Sequence, residues 1–96
     1  MAKGVTKAAP DMTRVAFEND RVRVVELHVS KGSKAEMHKH PAYFVYPITA
    51  FEYRSKNPEG ETKRHKMKPG QIEWSDGESH EVVFANKARA LVVEFK

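Results

Sequence analysis

The sequence predicts an all-β fold, and three observations support that prediction. Extended runs rich in Val, Ile, Thr and aromatic residues recur along the chain, and residues typical of turns separate them. No segment shows the 3.6-residue periodicity of an amphipathic helix. Short strands at this spacing favour a small jelly-roll β-barrel, in which alternate side chains point inward.

The predicted strands follow one another at short intervals, and Gly, Pro, Asn or Asp residues bound most of them. In chain order the predicted strands are Arg21–Val29, Glu36–His40, Tyr43–Tyr46, Phe51–Ser55, Glu61–Lys68, Gln71–Ser75, His80–Phe84 and Arg89–Phe95. Residues 1–13 lack such a pattern and are predicted to be a flexible N-terminal segment. Residues 14–96 are predicted to form the single folded domain, because a chain of 96 residues is too short for two independent cores.

Composition excludes several classes of function. The chain has no Cys, which rules out disulfides, a zinc ribbon and a thiol nucleophile. It shows neither a secretory signal nor a run of about twenty apolar residues, so we expect a cytoplasmic protein with no membrane contact. The formal charge is +4, but the basic residues are spread along the chain apart from a cluster over residues 63–68. Because such a cluster on one strand is typical of a solvated edge, we expect no nucleic-acid partner. His65 lies within this cluster and is expected to be solvated.

Two histidines on one predicted strand indicate a metal site. His38 and His40 are two residues apart, so both imidazoles leave the same face of an extended segment. Such a pair can bind one ion, although it can equally be two polar side chains on a solvated face. His80 is the obvious third ligand, because it follows a tight turn and shares its strand face with Val82 and Phe84. Neutral imidazoles are good ligands for Zn, Ni, Fe, Mn and Cu ions.

These residues also carry a resemblance to a known family. Gly32, His38 and His40 match the pattern G-x(5)-H-x-H, and Gly70, Gly77 and His80 match the glycines and the histidine of a second pattern about forty residues later. The order and spacing of the two patterns resemble the signature motifs of the cupin superfamily, and the chain is most similar to small single-domain (RmlC-like) cupins. The resemblance covers residues 14–96 and implies a cupin jelly roll with a three-His metal site.

One departure from the family pattern concerns the metal. The glutamate that cupins place after the His pair would fall at Phe44 or Val45, so the acidic ligand is missing. Whether Glu36 or His28 completes the site is left open. The resemblance implies one divalent transition metal, Fe, Zn, Ni or Mn. From the alternation of side chains we expect three aromatic residues to line the pocket, namely Phe44, Tyr46 and Phe84.

The resemblance implies alternative functions. The first is a mononuclear metal-dependent dioxygenase that acts on a small chelating or anionic substrate, as three-His cupins do with thiols and diketones. The second is a non-catalytic binding module for a small anion or metabolite. A third is a structural or interaction role in which the metal is dispensable. The family likeness and the exposed edges of so small a sheet protein also predict a homodimer.

Overall fold

The protein is built from two five-stranded sheets that share one hydrophobic core. The computed structural model describes residues 3–96, except for the side chain of Lys3, and Met1 and Ala2 lie outside the described residues. In chain order the elements are β1 (Lys3–Gly4), α1 (Val5–Ala8), β2 (Thr13–Glu18), β3 (Val22–Val29), β4 (Lys34–His40), β5 (Tyr43–Pro47), β6 (Phe51–Lys56), β7 (Thr62–Met67), β8 (Glu73–Ser75), β9 (Glu78–Phe84) and β10 (Ala88–Phe95).

The strand order is that of a jelly roll. The first sheet has the order β1-β4-β9-β6-β7 and the second has the order β2-β3-β10-β5-β8, so the chain repeatedly crosses from one sheet to the other. The predicted all-β jelly roll is therefore confirmed. Over residues 3–96 the two sheets are not closed into one hydrogen-bonded barrel, and the architecture is an open two-sheet form.

Alternation along the strands builds the core. In β10 every second residue from Ala88 to Glu94 is buried, and the residues between them face outward. Strand β9 alternates in the same way, with His80, Val82 and Phe84 pointing inward. Because successive side chains of a strand point to opposite faces, this pattern gives each sheet one apolar face. The only buried histidines among the described residues lie on such inward positions.

The N-terminal segment differs from the prediction of a flexible tail over residues 1–13. Strand β1 pairs in parallel with β4, and Val5 and Ala9 are buried in the core with Met12 packed against them. These three apolar residues are spaced four and three apart, but the segment is too short to show a helical period in the sequence. Within residues 3–96, no helix is long and apolar enough to cross a lipid bilayer.

The pairing of β4 with β9 positions the chemistry. His38 stands directly opposite His80 in the antiparallel ladder. The register shifts between Ala35 and His38, which is a bulge in β4. Because the bulge inserts an extra residue, both Ala35 and His38 face the core, although they are three residues apart.

Candidate metal centre

Three histidine side chains converge in the core. The ring centroid of His38 lies 4.8 Å from that of His40 and 4.7 Å from that of His80. The centroids of His40 and His80 are 5.2 Å apart, and the three rings are close to perpendicular to one another. All three residues are buried, and one ring nitrogen from each lies within 4.8 Å of the others. No carboxylate from residues 3–96 joins this group.

Hydrogen bonds fix the tautomer of two rings. His38 Nδ1 donates to the backbone carbonyl of Glu36 at 2.7 Å, and His40 Nδ1 donates to Glu94 Oε2 at 2.7 Å. Both acceptors have no proton to give, so Nδ1 of each ring must carry the hydrogen. This leaves Nε2 as the nitrogen with a free lone pair. A second hydrogen bond of this kind is the usual way in which proteins orient a metal-binding imidazole.

Glu94 is a buried carboxylate that neither histidine pattern in the sequence includes. It is 2% exposed and lies on β10, in the opposite sheet from His40. Arg23 donates to its Oε1 through Nε at 3.0 Å and Nη2 at 2.8 Å. Burial alone would raise the pKa of Glu94, but the hydrogen bonds from His40 and Arg23 outweigh it and hold that pKa below the usual value. Glu94 is therefore an ionised carboxylate that is hydrogen-bonded to His40, one of the three candidate metal ligands.

His80 lacks a comparable partner. Its Nδ1 is buried and makes no hydrogen bond to any of the described residues. The nearest carboxylate oxygen, Glu78 Oε1, is 3.6 Å away and accepts instead from the hydroxyl of Tyr43 at 2.7 Å. Burial, followed by the neighbouring His38 and His40, lowers the pKa of His80 from 6.5 to about 3. Burial also lowers the pKa of His38. Both rings are thus neutral at physiological pH, which is the form that binds metals.

The donor set fits a divalent transition metal. Three imidazoles in a buried site match the ligands that Zn, Fe, Ni and Mn ions accept. Imidazole nitrogens bound at 2.0–2.1 Å to a tetrahedral ion are about 3.3 Å apart. Nitrogens that lie within 4.8 Å of one another therefore need only small side-chain rotations to reach one ion. An ion bound at Nδ1 of His80 would give this buried, unpartnered polar atom a partner.

The walls of the site correct part of the sequence prediction. The three histidines border a small cavity of about 50 Å³ whose other lining residues are mostly apolar. Phe84 is among them, as the alternation predicted, but Phe44 and Tyr46 are not. Their neighbours Tyr43 and Val45 line the cavity instead.

The error has a topological cause. The prediction carried the alternation from His40 through to Phe44 and Tyr46. In the structure Pro41 and Ala42 separate β4 from β5, and the chain crosses there from the first sheet to the second. The crossing resets which side chains face the core, so Tyr46 is 41% exposed and the ring of Phe44 packs against Phe95.

The two open candidates for a fourth ligand both lie away from the site. The side chain of Glu36 is exposed, because the bulge turns Ala35 inward in its place, and only its backbone carbonyl contributes. His28 is exposed on β3 and pairs with Arg89 on the neighbouring strand. Neither side chain joins the three-His cluster.

Gly77 sets the approach of β9 to the site. It has a φ of +114°, and a Cβ there would lie 3.2 Å from the carbonyl oxygen of His40 and from the carbonyl carbon of Pro41. Only glycine combines this conformation with so close a contact. The glycine at position 77 thus has a local physical reason in this chain.

Comparison with known proteins identifies the fold. No protein-family model matches the chain, and no curated protein sequence matches it. Solved structures do. A cupin domain from Bordetella pertussis Tohama I has a TM-score of 0.79 at 23% identity, over 100% of this chain and 97% of that one. A cupin superfamily protein from Desulfitobacterium hafniense DCB-2 has a TM-score of 0.69 at 9% identity, over 88% of this chain and 75% of that one.

A third structure is that of an enzyme. The polyketide cyclase RemF from Streptomyces resistomycificus has a TM-score of 0.63 at 24% identity, over 86% of this chain and 63% of that one. Together these similarities show that the chain has the cupin fold, which confirms the resemblance inferred from the sequence motifs. The site on that fold is a buried three-His cluster that could hold a metal ion.

Proposed function

We propose that the protein binds one divalent transition metal, Fe, Zn, Ni or Mn, through His38, His40 and His80, and presents it to a small chelating or anionic molecule. The observation that carries the proposal is the convergence of three buried imidazoles, two of them held by hydrogen bonds in the tautomer that leaves Nε2 free. A bound ion would supply Lewis acidity and, if it were ferrous, redox chemistry with O2.

The charges around the site favour an anionic guest. The three histidine ligands are neutral, so they leave the positive charge of a divalent ion uncompensated. Glu94, the carboxylate that is hydrogen-bonded to His40, is already bound by the guanidinium of Arg23. A carboxylate or enolate ligand would therefore gain electrostatic stabilisation that no described side chain already supplies.

The shape of the interior limits where that guest can lie. The apolar cavity beside the histidines holds about 50 Å³, which is room for about one or two water molecules. A cleft of about 320 Å³ lies next to it, and its lining includes Ser55, Lys63 and Glu78. His80 borders both spaces. We therefore place the ligand in the cleft, where it reaches the metal past His80.

Metal content tests the first part of the proposal. Protein purified without a His-tag should contain close to one transition-metal ion per chain, and His80→Ala should lose it because two imidazoles on one strand bind weakly. The matched control is His28→Ala, since His28 is an exposed histidine on β3. A His80→Ala protein that is folded and retains a full complement of metal would overturn the proposal.

Within this proposal, catalysis as a mononuclear dioxygenase is favoured over simple binding. RemF, a structural neighbour, is an enzyme, which supports a catalytic function on this fold. Iron-loaded protein should consume O2 in the presence of a thiol acid or a 1,3-diketone, and apoprotein should not. Absence of O2 consumption, with a small anion retained tightly and chemically unchanged, would instead identify the non-catalytic binding module.

We also propose that the chain forms a cytoplasmic homodimer through the outer face of the second sheet. Trp74 is 55% exposed there, and its ring lies 5.7 Å from that of Phe95, which in turn contacts Phe44. A cluster of exposed aromatic rings is the usual composition of an interface. Light scattering should give twice the chain mass of 11.0 kDa, and Trp74→Ser should shift it toward the monomer. A monomeric wild-type protein at micromolar concentration would contradict this assignment.

A further inference from the structure

A second group of polar side chains lies near the metal centre and shares none of its ligands. Ser55 on β6 is 9% exposed, and its Oγ is 2.9 Å from Nε2 of His65 on β7. Nδ1 of the same imidazole lies 3.2 Å from Oε1 of Glu73 on β8. His65 was expected to be solvated, but its side chain is only 11% exposed. Ser55, His65 and Glu73 thus form a connected row of a hydroxyl, an imidazole and a carboxylate.

The direction of the hydrogen bonds follows from the charge of the Glu73 carboxylate. The hydrogen bond with His65 lowers the pKa of Glu73, so that carboxylate is ionised and can only accept. In the neutral form of His65 the proton must then be on Nδ1, which leaves Nε2 as an acceptor. Ser55 consequently donates its hydroxyl proton to Nε2. This is the arrangement in which an imidazole can take the proton of an attacking hydroxyl.

The imidazole is held rigidly in this arrangement. The ring of Tyr53 stacks on it with centroids 4.3 Å apart and planes inclined by 2°. The hydroxyl of Tyr53 donates to Glu73 Oε1 at 3.1 Å, so one tyrosine orients both the base and the carboxylate. Such fixed partners are what a preorganised site requires, whereas a solvated histidine would have none.

Ser55 is also accessible to a reactant. It lines the cleft of about 320 Å³, together with Asn57, Glu61, Thr62, Lys63, Glu78 and His80. We propose that Ser55 is a nucleophile for acyl transfer, with His65 as its general base and Glu73 as a positioning residue, and that the substrate is a small polar carboxylic ester bound in this cleft. Lys63 and Thr62 line the cleft, and in this proposal they are the donors for the negative charge that develops on the ester carbonyl oxygen.

The reaction balances with water as the only co-reactant. Ser55 Oγ forms a bond to the ester carbonyl carbon while its proton passes to His65 Nε2. The bond to the alcohol oxygen then breaks, and His65 returns the proton to the departing alkoxide. Water repeats the sequence on the acyl-serine, giving its proton to His65 and releasing the carboxylic acid and free Ser55.

Covalent labelling tests the proposal without any metal. Full-length protein is incubated with diisopropyl fluorophosphate in EDTA and examined by intact mass and peptide mapping. Attack by Ser55 Oγ on phosphorus, with loss of fluoride, should add one diisopropyl phosphoryl group to Ser55. The control is Ser30→Ala, which should label like wild type, since Ser30 is exposed and its side chain makes no hydrogen bond within the described residues. Wild-type protein with no adduct on Ser55 overturns the proposal.

Two substitutions test whether His65 and Glu73 activate Ser55 or only stabilise the fold. His65→Gln keeps a polar partner for Ser55 but removes the base, so the rate of labelling should fall about 100-fold or more. Glu73→Gln should lower the maximal labelling rate at least about tenfold while the half-saturating probe concentration stays unchanged, because it acts only by orienting His65. Both variants must keep the wild-type circular dichroism spectrum. Labelling at the wild-type rate in folded His65→Gln overturns the proposal. Because EDTA is present throughout, these outcomes are independent of whether the three-His centre binds metal.

Discussion

Glu94 gives the sharpest test of how the metal centre is held together. The change Glu94→Gln keeps the size of the side chain and removes its charge. In the wild-type protein the Glu94 carboxylate accepts three hydrogen bonds, one from His40 and two from Arg23. The amide of the Gln variant can accept only at its single oxygen. In the variant, the amide NH2 group therefore lies against either His40 or Arg23, which are themselves hydrogen-bond donors. Partners of metal-binding histidines typically contribute 10- to 100-fold to affinity, so zinc binding should weaken by about 1.4–2.8 kcal/mol.

The same substitution should also reduce the free energy of unfolding of the apoprotein. Breaking a buried ion pair costs about 3–5 kcal/mol, but the side chain of Arg23 is 27% exposed and can rehydrate, so we expect about 2 kcal/mol. Zinc affinity is measured by competition with a chromophoric chelator, and stability by urea unfolding. Glu26→Gln is the matched control, because Glu26 pairs with Arg14 at the surface. Equal zinc affinity in the two variants would refute a role for Glu94 in the centre.

Three further outcomes follow from the structure. The folded-state pKa of His80 lies below the unfolded value of 6.5, so the stability that His80 contributes is present above pH 6.5 and is lost on acidification. Urea unfolding of the apoprotein should show a loss of about 2–3 kcal/mol by pH 4.5. A flat profile between pH 7 and pH 4.5 would contradict the burial of a neutral imidazole. Gly77→Ala should destabilise the fold by about 1–3 kcal/mol through strain and a backbone contact, and more than Gly60→Ala, where φ is also positive but the space is open; equal losses in thermal melts would argue against the contact. Phe84→Ala should cost about 3–5 kcal/mol and Tyr46→Ala less than about 1 kcal/mol, and the reverse order in urea unfolding would show that the faces of the strands are wrongly assigned.

Much of the fold could be predicted because its signal is local. The runs of β-branched residues and the turn glycines mark most of the strands to within a few residues, as the predicted His80–Phe84 and the observed β9 show. Strand β2 was not predicted, although Val15 and Phe17 are spaced two apart along it; both side chains are exposed, so the strand adds no apolar residue to the core. The N-terminal segment was mispredicted because its burial depends on contact with β4, whose paired residues lie 35 positions further along the chain (Lys3 with His38).

The candidate site divides in the same way. The three histidines could be predicted, since the spacing of His38 and His40 is local and the cupin pattern supplied His80. The residues that line the cavity could not all be predicted, because a crossing between sheets at Pro41 and a bulge beside Ala35 change which later side chains face the core. The alternation of residues in the sequence does not reveal either feature. Glu94 was missed although it is the one acidic residue in the last apolar strand. A charge in an otherwise buried strand face is a signal that could have indicated it.

X-ray absorption at the metal edge is the most direct test of the three-His centre. Zinc- or iron-loaded protein should show an inner shell that includes three imidazole nitrogens at about 2.0–2.1 Å, with the outer-shell scattering typical of histidine rings. His80→Ala should retain too little metal to give this three-imidazole signal. An inner shell made of oxygen atoms alone, or an imidazole count that His80→Ala leaves unchanged, would contradict the assignment of His38, His40 and His80 as the ligands.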